Sequence, residues 1–426
     1  MKATKWWQSA IFYELYVDKF ADNFRGLAER LDYLQTLGIT AIHILPHYPS
    51  PMVDDGYDVS DYRNIRPGLG TLRDFELFIR EAKQRGIHVI LDLVLNHVSQ
   101  EHPWFKAARD SKIGPKRDFF LWSDTGEELK NSINTFPHLK SRNWVYNPAT
   151  NDYYFATFYG EEPDLNWNNP KVFSEISGIM DFWINLGVSG FRLDAAPYLI
   201  KKENAAAKGL PETHAVLKQI RAHLEKIAPH TILLAEAHDS IYEIKKYFGD
   251  GTGDECHLAY NFPLAERIFL AALKNDASLI KDIVNASENI PMNCRWAVFL
   301  RSHDQLSFGS MTETEQKEFL AYCDPERKFV FKSGENGISM RIADIFKKNP
   351  EKIKTAFDIL FNLPGCQIIY YGDEIGMKND TTIGVPRDTR RHVRGKFDWD
   401  LAEIQQKNPD SLLSFIKKRI LEKKKT

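Results

Sequence analysis

The sequence is poor in the features that mark secreted, membrane-bound or nucleic-acid-binding chains. Its four cysteines, Cys256, Cys294, Cys323 and Cys366, stand far apart. They match neither a zinc-ligand spacing nor a dense disulfide framework and are expected to be reduced structural thiols. No apolar run approaches the roughly 18 residues of a membrane span. The first residues, Met1 to Trp7, lack the continuous apolar stretch of a secretory leader, so a cytoplasmic location is expected. An excess of one charge is missing too: 56 Lys and Arg face 58 Asp and Glu, for a net charge of -2. No broad positive field exists to hold nucleic acid or an anionic membrane, and the expected partner is a small neutral molecule. Tandem repeats and low-complexity tracts are absent. The basic clusters Lys417-Lys418-Arg419 and Lys423-Lys424-Lys425 suit the end of a last helix facing water.

What the 426 residues do contain, at 43% hydrophobic, is enough apolar material for a large core. Eight short apolar runs recur along the chain: Ala10 to Leu15, Ala41 to Leu45, Val89 to Val94, Gly190 to Leu193, Ile232 to Ala235, Cys256 to Tyr260, Trp296 to Leu300 and Gln367 to Tyr371. Between them the periodicity turns helical, as in Leu27-Leu31-Leu34-Leu37 before Gly38 and Phe75-Phe78-Ile79-Ala82 before Gly86, with glycine placed to end each helix. Strand and helix in alternation imply crossovers and a parallel sheet, and eight such units predict a closed (β/α)8 barrel. One connection is out of proportion. From about Val98 to Asn169 the alternation lapses into a stretch rich in Trp, Pro, Asp and Asn, too long for a structureless loop. The expected organisation is a catalytic barrel from 1–97 and 170–426, with an inserted domain, 98–169, over its mouth.

Three carboxylates stand where apolar runs end: Asp194 in Gly190-Phe191-Arg192-Leu193-Asp194, Glu236 in Leu233-Leu234-Ala235-Glu236, and Asp304 in Phe299-Leu300-Arg301-Ser302-His303-Asp304. An acid at the emerging end of a buried strand is rigidly held yet open to solvent, as catalysis requires. Retaining cleavage of a glycosidic bond uses one carboxylate as nucleophile and one carboxylic acid as proton donor, about 5–5.5 Å apart. Asp194 is expected to be the nucleophile, its pKa kept low by Arg192 two residues earlier on the same strand face. Glu236, backed by apolar residues, is expected to be the proton donor, and Asp304 the third charge. His97 and His303 belong to the same mouth, where neutral imidazoles can hydrogen-bond sugar hydroxyls. His43, His47 and His238 remain ambiguous. Aromatic residues make up 12% of the chain; most are expected to pack the core, and rings beside these motifs suit the apolar faces of sugars.

Over nearly its whole length the chain resembles glycoside hydrolase family 13, the α-amylase family. The matching blocks, in order, are Asp55-Gly56-Tyr57-Asp58-Val59-Ser60-Asp61-Tyr62, Asp92-Leu93-Val94-Leu95-Asn96-His97, Pro163-Asp164-Leu165-Asn166, Gly190 to Asp194, Leu234-Ala235-Glu236-Ala237 and His303-Asp304. The resemblance implies Asp194 as nucleophile, Glu236 as general acid/base and Asp304 as transition-state stabiliser. It implies that Tyr57 stacks on the nonreducing glucose, with Asp55, Asp92, His97, Arg192 and His303 around it. Further stretches, among them Leu210-Pro211-Glu212-Thr213-His214 and Tyr370-Tyr371-Gly372-Asp373-Glu374-Ile375-Gly376-Met377, are similar to the trehalose synthase branch, whose members isomerise maltose and trehalose in a closed pocket. An α-glucosidase or amylase-type hydrolase is the alternative, and a non-catalytic amylase-like binding protein a third.

The chain departs from that pattern in several places. Glu162 precedes Pro163 where relatives usually carry Gln. The loop Arg387-Asp388-Thr389-Arg390-Arg391-His392-Val393-Arg394-Gly395-Lys396-Phe397-Asp398-Trp399 replaces a short Arg-Thr-Pro-Met-Gln-Trp signature; Arg391 is the expected substrate contact there, and an anionic acceptor is conceivable. The chain stops at an expected eighth helix, Ser411 to Lys424, without the family's usual C-terminal β-sandwich: either the protein manages without it or the sequence is a fragment. Family members often hold Ca²⁺ with the equivalents of Asn96 and Asp164. Here Lys201 stands at the position of a further acid, and its ammonium is expected to replace the ion, leaving no metal and no cofactor.

Overall fold

The computed structural model describes residues 5–331, 337–385, 387 and 389–425. Met1 to Thr4 of the N-terminal stretch, and Asp388 of the rebuilt loop, lie outside the described residues. Eight strands form the barrel: β1 (Ile11–Leu15), β2 (Ala41–Ile44), β3 (His88–Val94), β4 (Gly190–Asp194), β5 (Ile232–Ala235), β6 (Leu258–Tyr260), β7 (Arg295–Phe299) and β8 (Cys366–Tyr370). They pair in parallel in chain order, and β8 returns to β1 with Ile11 opposite Gln367, which closes the cylinder. This is the architecture the eight apolar runs predict.

Both faces of each strand are buried, so the strands read as continuous apolar runs rather than alternating ones. Inward residues such as Phe12, Ile90, Leu234, Phe299 and Ile368 fill the barrel interior, and Trp7, on a 3₁₀ turn before β1, packs with them. Outward residues meet the surrounding helices in a larger core. The helix Leu72–Gln84 shows how the local sequence sets an element. Thr71 caps its first turn and Asp74 bonds back to the Thr71 amide in a capping box, while Phe75, Phe78, Ile79 and Ala82 make one apolar face. Gly190 has no alternative: a Cβ there would stand 2.5 Å from Ile232 Cγ1 and 2.8 Å from its carbonyl oxygen, so β4 and β5 approach only because the side chain is missing.

After β3 the chain leaves the barrel to form the helix Pro103–Arg109 and a three-stranded antiparallel sheet in which Asp152–Phe155 lies between Trp122–Ser123 and Trp144–Asn147. It is tied back by an isolated bridge, His97 to Asp164, and by the Leu165 amide, bonded to Asn96 O at 2.8 Å. A second excursion, between β7 and β8, carries a two-stranded ribbon, Leu306–Ser307 with Gly337–Ile338, and the helix Glu313–Cys323. Sequence periodicity marks only the first, because the second is built from short polar pieces that look like ordinary connection. Among the described residues no helix is long and apolar enough to cross a membrane, and all four cysteines are buried free thiols.

Candidate active site

The mouth of the barrel is organised around one guanidinium. Arg192 and Asp194 are two residues apart on β4 and so share its inner face, and Asp92 of β3 pairs directly with Arg192. Glu236 follows β5, its amide bonded to Leu193 O at 3.2 Å. Arg192, 1% exposed, donates from Nη1 to Asp92 Oδ1 (2.8 Å) and Asp194 Oδ1 (2.6 Å), and from Nη2 to Glu236 Oε1 (2.5 Å). Ala195 turns the chain in the left-handed region (φ 47°) and aims its amide at Glu236 Oε2, 2.9 Å away. A non-glycine residue held there costs of order 1 kcal/mol and marks a constrained site.

One positive charge serves three acids, and this corrects the expectation for Asp194. Burial pushes its carboxyl well above the usual range, and the Glu236 and Asp92 charges add to the effect, while Arg192 opposes them without prevailing. Asp92 is also buried, but Arg192, His43 and His303 hold it below the usual range.

Opposite these groups, Asp304 Oδ1 accepts from Arg394 Nη2 (2.8 Å) and Arg390 Nη1 (3.2 Å). Burial works against its ionisation, yet His303, Arg390, Arg394 and Arg192 together hold it far below the carboxylate range. The Tyr57 ring stacks on His303 with centroids 5.5 Å apart. Its hydroxyl donates to Asp92 Oδ2 (2.9 Å) and lies 2.6 Å from His303 Nε2. Beneath them is an acid the sequence reading missed. Glu14, at the inner face of β1, accepts from the His303 amide (3.1 Å), His303 Nδ1 (2.9 Å), Tyr260 Oη (3.0 Å) and His43 Nδ1 (3.2 Å). Despite burial, the two histidines hold it well below the carboxylate range. His43 Nε2 faces Asp92 at 3.4 Å, so this ambiguous histidine is a link under the site. His47 packs instead among Tyr48, Phe75 and Trp183, where burial lowers its pKa to about 3. His238 reaches the pocket wall and packs on Phe262.

The pocket has a volume of about 440 Å³, and Tyr57, His97, Asp194, Glu236 and Asp304 line it together. Arg192, Asp92 and His303 stand directly behind these groups. Asp55 and Arg391 line a smaller adjoining cavity of about 190 Å³, where Arg391 Nη2 meets Asp55 Oδ1 at 3.0 Å. In the same loop it is Arg390 that lines the main pocket, while Arg394 joins Asp55 Oδ2 (2.5 Å) to Asp304. A signal for Arg394 was present in the chain: it precedes Trp399 by five residues, the spacing of Arg and Trp in the signature that the loop otherwise lacks. Two further aromatic residues, Phe136 of the insertion and Phe331 of the second excursion, cover the pocket.

Glu162 is fully buried, and one of its oxygens accepts from the Tyr159 amide at 3.1 Å. Burial and the Asp54 and Asp58 charges push its carboxyl well above the usual range. A carboxyl that keeps its proton offers an O–H donor beside an acceptor oxygen, much as a glutamine offers its NH₂ beside its carbonyl. Its Oε1 stands 3.7 Å from His97 Nε2, and burial lowers the His97 pKa to about 4. Nearby, Lys201 Nζ donates to Asn96 Oδ1 (2.6 Å), Tyr198 O (2.6 Å) and Asp164 Oδ2 (2.7 Å). Three oxygens thus converge on an ammonium between barrel and insertion. Ca²⁺ needs six to eight oxygens and no cation among them, so these residues do not fit it.

Two pocket-lining acids on one guanidinium, Asp194 and Glu236, with Asp304 across a covered pocket at the carboxyl ends of parallel strands, define a barrel enzyme that works on glycosidic bonds. Residues 14–330 match the alpha amylase catalytic domain, and the chain belongs to the α-amylase family. It is 39% identical to the trehalose synthase of Pimelobacter sp. (strain R48), over 89% of this chain and 68% of that protein. It is 40% identical to the trehalose synthase/amylase TreS of Mycobacterium tuberculosis, over 92% of this chain and 66% of the relative. The chain spans about two thirds of the length of these relatives. Among solved structures, the trehalulose synthase MutB from Pseudomonas mesoacidophila MX-45 superposes with a TM-score of 0.78 at 25% identity, covering 100% of this chain and 85% of the other.

Proposed function

We propose that this chain is a retaining, glucosyl-transferring enzyme of the trehalose synthase type, acting on small neutral α-glucosides such as maltose and trehalose. The observation that carries the proposal is the convergence of Asp194 and Glu236 on Arg192 at the floor of a covered pocket. In the first step an Asp194 oxygen attacks the anomeric carbon while Glu236 gives its proton to the glycosidic oxygen. The C–O bond breaks, a sugar is freed, and a glucosyl-aspartate remains. In the second step Glu236 takes the proton from a hydroxyl of the turned sugar as that oxygen attacks the same carbon and releases Asp194. Asp304, held ionised by Arg390 and Arg394, faces the positive charge that develops on the ring.

The reactive state needs Asp194 ionised and the proton on Glu236. Both acids touch Arg192, so a proton moved between them leaves the charge around the guanidinium unchanged. Lys201 is proposed to take the structural role of a metal ion, and no cofactor enters either step. The location proposed is cytoplasmic.

The test is product analysis of the purified protein with maltose and with trehalose. Each disaccharide appearing from the other supports transfer; glucose alone would establish the second reading, a hydrolase, which the word amylase in the mycobacterial relative's name favours. Asp194→Ala is expected to lower turnover by at least about 10⁴-fold with an unchanged circular dichroism spectrum. Turnover near that of the wild type would refute the assignment.

A further inference from the structure

We propose that Arg387 and Arg390, in the loop after β8, latch the aromatic cover over the pocket, and that this latch decides whether a sugar or water takes the glucosyl group. The proposal rests on the transfer reading above.

The cover is assembled from separate parts of the chain. Phe136 and Tyr159 come from the insertion and stack at 4.7 Å with 24° between their planes; Phe331, from the second excursion, lies 6.3 Å from Phe136. These three buried rings form an apolar cluster of their own, distinct from the two cores of the barrel. A satellite cluster this small can separate without opening the barrel, so its closure depends on what ties it down.

The loop after β8 supplies those ties. The Arg390 guanidinium sits 5.6 Å from both the Phe136 and Phe331 rings. Its Nη2 reaches Asp54 Oδ1 (2.9 Å) and Tyr159 Oη (3.1 Å), and its Nη1 reaches Asp304 Oδ1 (3.2 Å). One side chain therefore joins the cover to the loop after β2 and to the third acid. Arg387 adds an outer tie. It holds Glu161 of the insertion through two bonds (2.6 and 3.1 Å) and lies over the Tyr159 ring at 4.9 Å. Such a two-point pair fixes orientation as well as distance. Arg387 lines the small cavity rather than the main pocket, so it acts on the cover without lining the space where the bond is broken.

With the cover shut, a sugar freed by the first step is confined beside the glucosyl-aspartate and can return by another hydroxyl. With the cover loosened, that sugar escapes and water enters.

The experiment compares the wild type with Arg387→Ala, Glu161→Gln and Phe331→Ala, each given maltose and sampled at equal donor consumption. The readout is the ratio of free glucose to isomerised disaccharide, which does not depend on overall rate. In each variant that ratio is expected to rise at least about fivefold, and Arg387→Lys should restore it only in part, because an ammonium cannot form the two-point pair. A wild type that transfers, together with variants whose ratios are unchanged, would overturn the latch alone. A wild type yielding only glucose would overturn the transfer reading and the latch with it.

Discussion

Arg192 and Glu14 divide the work under the pocket. Arg192 spreads one charge over Asp92, Asp194 and Glu236, and Glu14 gathers His43, His303 and Tyr260. Each Glu14 oxygen faces two donors, so a glutamine at this position would turn its own NH₂ toward groups that donate. Glu14→Gln is therefore expected to fold and to lose about 10- to 100-fold in kcat/KM, equivalent to ~1–3 kcal/mol, through displacement of His303 and the stacked Tyr57. Steady-state kinetics on maltose check this, and a value within about twofold of wild type would remove Glu14 from any positioning role. Asp194, Glu236 and Asp304 were legible as site residues because strand ends are visible in sequence. Glu14 was not, because an acid inside the apolar run Phe12-Tyr13-Glu14-Leu15 has no local sign of what it faces.

At the scale of elements, the site depends on how the insertion is fastened to the barrel. Lys201 follows β4, Asn96 follows β3, and Asp164 lies where the insertion returns to the barrel, so the ammonium pins all three together. Asp164 and Lys201 are both buried, and removing the cation strands a buried carboxylate. Lys201→Met is expected to cost about 3–5 kcal/mol of stability, read from denaturant unfolding, whereas EDTA should leave the wild-type melting temperature unchanged. A chelator-induced drop in Tm would show that the ammonium does not do a metal's work. The second excursion is the element the sequence hid most thoroughly: its ribbon strands are two residues each, too short for periodicity to register.

Closure of the whole barrel has its own titratable seam. Glu374, just after β8, accepts from Tyr13 Oη of β1 (2.7 Å) and Tyr33 Oη of the following helix Leu31–Leu37 (2.8 Å), so it joins the last strand to the first. Burial raises its pKa to about 7, against the bonds from the two tyrosines. The folded chain therefore keeps a proton there that the unfolded chain has lost, and stability contributed at low pH is given up as pH rises from roughly 4.3 to 7. Glu374→Gln is neutral throughout and keeps both acceptor bonds. Relative to wild type it should gain about 3 kcal/mol between pH 4.5 and pH 8, measured by urea unfolding at each pH; parallel curves would show that this seam does not titrate.

By itself the sequence determined the barrel and the acids at its mouth, while the cation between Asn96 and Asp164 was legible only through the family resemblance. Strand alternation, helix caps and the ends of apolar runs are local and repeat with fixed periods. Only the tertiary structure decided which arginine meets which acid. Asp304 and Arg390 are 86 residues apart, and Asp54 and Arg390 are 336 apart, so their pairing follows from closure of the cylinder and from the path of two excursions. The upward shift of the Asp194 pKa is of the same kind. One neighbouring arginine favours ionisation, but burial and two further carboxylates, brought in by other strands, outweigh it.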